Sequence, residues 1–199
     1  MPKLSLLPAL FLLAGATGLE AQTDYYARLG AIGASNLLRD VIVSEITVRQ
    51  SIAPMLAVGG SLPVGPGYRA GLEATFSSGG YHSNDGGVET DLGTIRTGSL
   101  MLGLDGPIVS SVRWRVGVGG LLYWPSDETG IFLQGGTTRF LAGAGADYRR
   151  PALSKWDVMA SLRFDYHRFT TDELERRGFS LTQPVSRLSL SVGLARSVR

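Results

Sequence analysis

Charged side chains recur at two-residue intervals along this chain. Arg113 and Arg115 form one such pair and Arg163 and Asp165 another, with Glu73 and Asp147 standing singly among small and apolar neighbours. Residues two apart point the same way only on an extended strand, so these six belong on one face of strands. If that face is buried, their charges must meet in ion pairs, because an isolated charge in a low-dielectric interior is too costly to keep. The predicted chemistry is therefore an internal ion network of Glu73, Arg113, Arg115, Asp147, Arg163 and Asp165. The sharper alternative is a gated path or small-anion site lined by the same arginines.

A second set has the types needed for nucleophilic catalysis. His82 lies in Tyr81-His-Ser-Asn-Asp85, with Ser83 beside it and Glu89 and Asp91 close by, and His167 stands near the end of a later strand. A serine hydrolase requires a base adjacent to its hydroxyl and a carboxylate to orient that base. No nucleophile elbow surrounds Ser83, and polar loop composition alone would supply such residues, so a non-enzymatic reading is preferred. Two histidines without clustered carboxylates make a poor transition-metal site, and no cofactor or metal is expected. Arg176 and Arg177, in Asp172-Glu-Leu-Glu-Arg-Arg-Gly178, could meet phosphates, but a solvated charged loop explains them as well.

The elements that must position these residues are strands. In the last segment Leu188, Leu190, Val192 and Leu194 share one face, while Arg187, Ser189, Ser191, Gly193 and Ala195 share the other. Similar segments are read at 24–35, 48–62, 68–78, 92–104, 112–124, 139–149 and 155–169, which makes eight. The 36–46 stretch fits either a strand extension or a short amphipathic helix. Connections of about a dozen residues are expected after the first, third, fifth and seventh strands, and of about five after the others. In the fifth strand Trp114 and Trp124 stand near opposite ends of an apolar row, and Tyr148 and Tyr166 end the rows of the sixth and seventh. Aromatics so placed suit the two interfaces of a bilayer.

The N-terminus points to export. Met1-Pro-Lys3 leads into an apolar run from Leu4 to Gly15, and Ala21 precedes Gln22, the pattern of a cleavable signal peptide at 1–21 followed by one domain at 22–199. The run is short of the roughly 20 apolar residues a spanning helix needs. Absence of cysteine excludes a disulfide framework, and a formal charge of only +2 with scattered arginines argues against nucleic acid as a partner. The 27 glycines suit strands that bend and an interior crowded with side chains.

With its strands laid out, the mature chain resembles the small eight-stranded outer-membrane barrel proteins of Gram-negative bacteria, the class that includes the OmpA transmembrane domain, OmpX and OmpW. The resemblance rests on the signal peptide, the strand count, the aromatic strand ends and the alternation of long and short connections. It departs at the end, Ala-Arg-Ser-Val-Arg199, where family members often finish on an aromatic. It implies an all-β, antiparallel up-and-down transmembrane barrel in the outer membrane, with both termini on the periplasmic side. Lipid, lipopolysaccharide and the outer-membrane assembly machinery would be its partners. The function expected is a structural or surface-interaction role with a lumen plugged by side chains. The alternatives are a narrow conduit for a small hydrophobic or anionic solute, a lipid A-modifying enzyme using His82 or His167, and a soluble exported barrel with its faces reversed.

Overall fold

A computed structural model of the protein describes residues 22–41, 45–128, 130–153, 155–176, 178 and 182–198. Residues 1–21, expected above to be a signal peptide, and Arg177 lie outside them. The strands are β1 (Thr23–Ala34), β2 (Leu38–Val41), β3 (Glu45–Gln50), β4 (Ala53–Gly65), β5 (Tyr68–Asp85), β6 (Val88–Val109), β7 (Val112–Pro125), β8 (Thr137–Leu153), β9 (Trp156–Phe169) and β10 (Gln183–Val198). A 3₁₀ turn at Gly130–Phe132 and a helix α1 at Asp172–Arg176 complete the elements.

Eight strands close into a ring. Each of β1 and β4 to β10 pairs antiparallel with its neighbours, and β1 pairs with β10 from Thr23↔Val198 to Ala34↔Arg187, so the barrel proper has no free edge. Closure satisfies backbone groups that an open sheet would leave unpaired.

Alternation along the strands decides what lies inside. On β10, Leu190 is 62% exposed whereas Ser189 is 4% exposed, and Leu188, Val192 and Leu194 face outward with Leu190. Leu100, Leu102 and Leu104 on β6, Val116 and Val118 on β7, and Leu162 and Phe164 on β9 continue the outer apolar surface. That orientation excludes the soluble barrel with reversed faces, since such a surface suits lipid hydrocarbon and not water. Among the described residues no helix is long and apolar enough to cross a membrane; the strands are the crossing elements.

Between β7 and β8 the 3₁₀ turn, and between β9 and β10 helix α1, stand at one end, here called the loop end. The tight turns β4–β5, β6–β7 and β8–β9 and both strand termini mark the other, the turn end. Thr171 caps α1, its hydroxyl accepting from the Leu174 amide at 3.2 Å.

Two regions differ from the sequence-based expectation. The polar stretch 79–91 is not a long loop: β5 runs to Asp85 and β6 begins at Val88, joined by a turn with positive φ at Gly86 and Gly87. Within the 36–46 stretch, the described residues Leu38–Val41 form β2, which pairs with β3, rather than an extension of the first strand or a helix. β3 pairs in turn with β5 from Ile46↔Asp85 to Gln50↔Tyr81, so β2, β3, β5 and β6 form a four-stranded extension standing above the barrel wall. Polar side chains misled because strands bathed by water on one or both faces need no apolar row, and backbone pairing alone extends them.

Candidate functional site: a layered lumen

Glu73 projects from β5 into the middle of the barrel, where three arginines from three other strands converge on it. Its Oε2 accepts from Arg28 of β1 and from Arg115 of β7 at 2.6 Å, while its Oε1 accepts from Arg163 of β9. The Tyr26 hydroxyl donates to Oε2 at 2.8 Å and accepts from Arg115 at 2.9 Å. The Arg28 and Arg115 guanidinium carbons each lie 5.0 Å from the Tyr26 ring centroid. Gly59 makes room for that ring, since a Cβ there would collide with the Tyr26 hydroxyl.

Two further carboxylates balance the three cations. Asp147 on β8 lies 2.7 Å from Arg115 and 3.3 Å from Arg28, and Asp165 lies 2.8 Å from Arg163. Every one of these arginines thus spans two carboxylates, which is what makes burial of so many charges tolerable. The six groups come from β1, β5, β7, β8 and β9, tying opposite walls together.

Toward the turn end a second layer follows. Asp24 accepts from Arg149 at 2.6 Å and from Ser197 at 2.5 Å, and lies 3.4 Å from Arg69, while Arg149 also donates to Asp157 at 2.6 Å. Arg113 belongs here, bonded to Asp105 and, at 2.6 Å, to the Gly67 carbonyl, and not to the central group with which it shares a strand face. Toward the loop end hydroxyls take over: Arg187 donates to Thr97 at 2.8 Å, and Thr97 and Ser77 share a hydrogen bond of 2.7 Å.

Above the hydroxyls the lumen turns apolar. Tyr81, Ile95, Leu121, Tyr123, Leu141, Phe169 and Val185 on the walls pack with Phe132 from the β7–β8 connection and Leu174 from α1. Phe132 meets Tyr81 and Phe169 edge-on, with centroids 5.9 Å apart in both pairs. The Thr171 hydroxyl donates to the Ile131 carbonyl at 2.5 Å and links the two connections.

His167 points into this lumen, its Nε2 2.7 Å from the Tyr123 hydroxyl. His82 faces the outer side: its Nε2 is 2.9 Å from the Ser51 hydroxyl and its Nδ1 3.8 Å from Asp91 Oδ1. Ser83, its sequence neighbour, belongs by alternation to the other face. Arg176 is exposed and lies 3.6 Å from Glu173. Among the described residues no cluster of histidine and carboxylates fits a metal ion.

Of the four aromatics expected at the interfaces, Tyr148, Tyr166 and Trp124 are exposed on the outer wall, and Trp114 is half-buried, packed against Tyr68 at a centroid distance of 6.2 Å. Trp114 and Tyr148 lie toward the turn end, Trp124 and Tyr166 toward the loop end. Ten residues of strand separate the two tryptophans, roughly 33 Å along the chain and about 25 Å along the axis of a tilted barrel.

These features together, a closed eight-stranded ring, an apolar outer belt and a charged interior, decide the architecture. The fold is that of the small outer-membrane β-barrels. The barrel is similar to the crystal structure of Neisserial surface protein A (NspA), with a TM-score of 0.55 and 14% identity over 89% of this chain and 99% of that one. It is also similar to the solid-state NMR structure of the outer membrane protein AlkL in lipid bilayers, with a TM-score of 0.52 and 12% identity, covering 89% of this chain and 91% of that one. No protein-family model and no curated protein matches the barrel's sequence.

Sequence reasoning missed Tyr26, Arg28, Asp24, Asp105 and Arg149 as lumen residues. Tyr26 and Arg28 share parity with Ile32 on β1, which is a usable signal. Asp105 lies one residue beyond the strand expected at 92–104, where Gly106 and Pro107 favour a turn, yet β6 continues to Val109.

Proposed function

We propose that the protein resides in the outer membrane as a non-conducting barrel, with its turn end periplasmic, its loop end outside and its lumen plugged by its own side chains. Its role is structural or one of surface interaction, carried by the β2–β3–β5–β6 extension and the loop-end connections. The observation that carries this reading is Glu73, bound at once by Arg28, Arg115, Arg163 and Tyr26 across the full width of the barrel. A cavity beside Glu73 measures about 30 Å³ and another, among the charges nearer the turn end, about 20 Å³, room for one or two waters each. An eight-stranded barrel is about the size at which side chains alone fill the interior.

The protein reconstituted in planar bilayers is expected to show no conductance above the lipid background. Replacing both Glu73 and Phe132 by alanine opens the ionic and apolar layers together and is expected to produce discrete conductance steps. Steady conductance by the unaltered protein would overturn the plugged reading in favour of a narrow solute conduit.

A further inference from the structure

Ser51 in the break between β3 and β4, His82 on β5 and Asp91 on β6 meet on the outer wall at the base of the extension. Two irregularities place them there. Between the pairs Gln50↔Tyr81 and Met55↔Ser77 the β3–β4 side advances five residues while β5 advances four, so one extra residue sits at the Ser51–Ile52 break. Between Gly80↔Thr94 and His82↔Asp91, β6 advances three residues while β5 advances two, so an extra residue sits at Leu92–Gly93, where Gly93 has φ +96°. Bulges of this kind re-aim side chains and recur beside active sites. Here one flanks His82 on each side, and together they turn a serine and an aspartate onto the face His82 occupies.

The resulting geometry has the parts of a nucleophilic site. Ser51 Oγ and His82 Nε2 are 2.9 Å apart, which is proton-transfer range. Asp91 Oδ1 stands 3.8 Å from the opposite ring nitrogen and is held by the Gly93 amide at 2.8 Å. Gly80 lies beside the pair: a Cβ there would stand 3.5 Å from His82 Nε2 and 3.8 Å from Ser51 Oγ, in ordinary contact with both. Arg49, exposed and paired with Glu89 at 3.7 Å, is the nearby cation. Toward the turn end, Ile52, Leu56 and Phe76 line an outward apolar lane leading away from Ser51.

We propose that Ser51 and His82 form a hydrolytic site for carboxylic esters bearing an apolar acyl chain, with Asp91 as the positioning residue. Ser51 Oγ attacks the ester carbonyl carbon while its proton passes to His82 Nε2. The carbon–oxygen bond to the alcohol then breaks, and the alcohol leaves with the proton from His82. Water adds to the acyl-serine, giving its proton to His82; the acyl–Oγ bond breaks and His82 returns the proton to Ser51. The acyl chain lies in the lane of Ile52, Leu56 and Phe76, which in the membrane placement proposed above continues into the hydrocarbon of the outer leaflet.

The test uses the protein purified in detergent, with heat-modifiable gel mobility confirming the folded barrel in every variant. A fluorophosphonate probe should label the protein at Ser51, identified by mass spectrometry of the adducted peptide. Ser51→Ala should abolish labelling, and His82→Ala should slow it by about 100-fold. Asp91→Asn should slow it by about tenfold, with Asp91→Glu recovering part of the rate, a pattern that a purely structural role would not produce. Long-chain p-nitrophenyl esters should be cleaved faster than short-chain ones. Absence of an adduct on folded protein, or equal labelling of Ser51→Ala, overturns the site; equal rates on both esters overturn the acyl lane. None of these results depends on whether the lumen conducts, so failure here is distinguishable from failure of the plugged-barrel reading.

Discussion

Replacing Glu73 by glutamine keeps the volume of the side chain and removes the charge on which the central layer converges. In the unaltered protein Arg28, Arg115 and Arg163 face Glu73, Asp147 and Asp165, three cations against three anions. The substitution leaves one positive charge uncompensated inside the barrel, and the glutamine nitrogen directs two donors at guanidinium groups that have no acceptor to offer. Breaking a buried pair from one side costs about 3–5 kcal/mol. The lower end applies, because Arg28 and Arg115 keep Asp147 and Arg163 keeps Asp165. A loss of about 3 kcal/mol corresponds to roughly a 150-fold shift in the folding equilibrium. Urea unfolding in detergent, followed by tryptophan fluorescence and by gel mobility without heating, measures it. Removing one of the stranded cations as well, in Glu73→Gln with Arg115→Gln, restores the balance and should recover about half the loss. A single Glu73→Gln variant within about 0.5 kcal/mol of the parent would refute the view that this carboxylate organises the interior.

Gly143→Ala would drive a Cβ into Asp165 Oδ1 and force that carboxylate, whose Oδ2 holds Arg163, to shift; a loss of about 1–3 kcal/mol is expected in the same unfolding assay, whereas Gly120→Ala, which meets nothing, should be near neutral. Leu190→Arg on the outer wall should cost about 2–4 kcal/mol in lipid, measured by unfolding from vesicles, while Leu190→Phe is tolerated; equal stability of both would contradict the lipid-facing assignment.

Much of this architecture is legible from alternation alone. The parity that separates Leu188, Leu190, Val192 and Leu194 from Arg187, Ser189 and Ser191 follows from the two-residue period of a strand, and the structure keeps it. The same parity placed Glu73, Arg115, Asp147, Arg163 and Asp165 on one face of their strands. It could not separate Arg113 from Arg115, because both face the lumen and only height along the barrel axis sends one to Asp105 and the other to Glu73. Height depends on strand stagger, which is a property of the closed ring. Composition failed for the extension as well, since Tyr81 to Asp91 reads as loop until β3 is seen to pair with β5.

The sequence by itself determined that the chain builds amphipathic strands, which face of each is apolar, and that the charges on the other face would need partners. Those are consequences of local period and of the cost of burying charge. Only the tertiary structure decided who the partners are. Tyr26 and Arg28 reach Glu73 across 47 and 45 residues of chain, and Ser51 reaches His82 across 31, at the break between β3 and β4. Register and bulge position are set by all the pairings around the ring at once, so no window of sequence contains them.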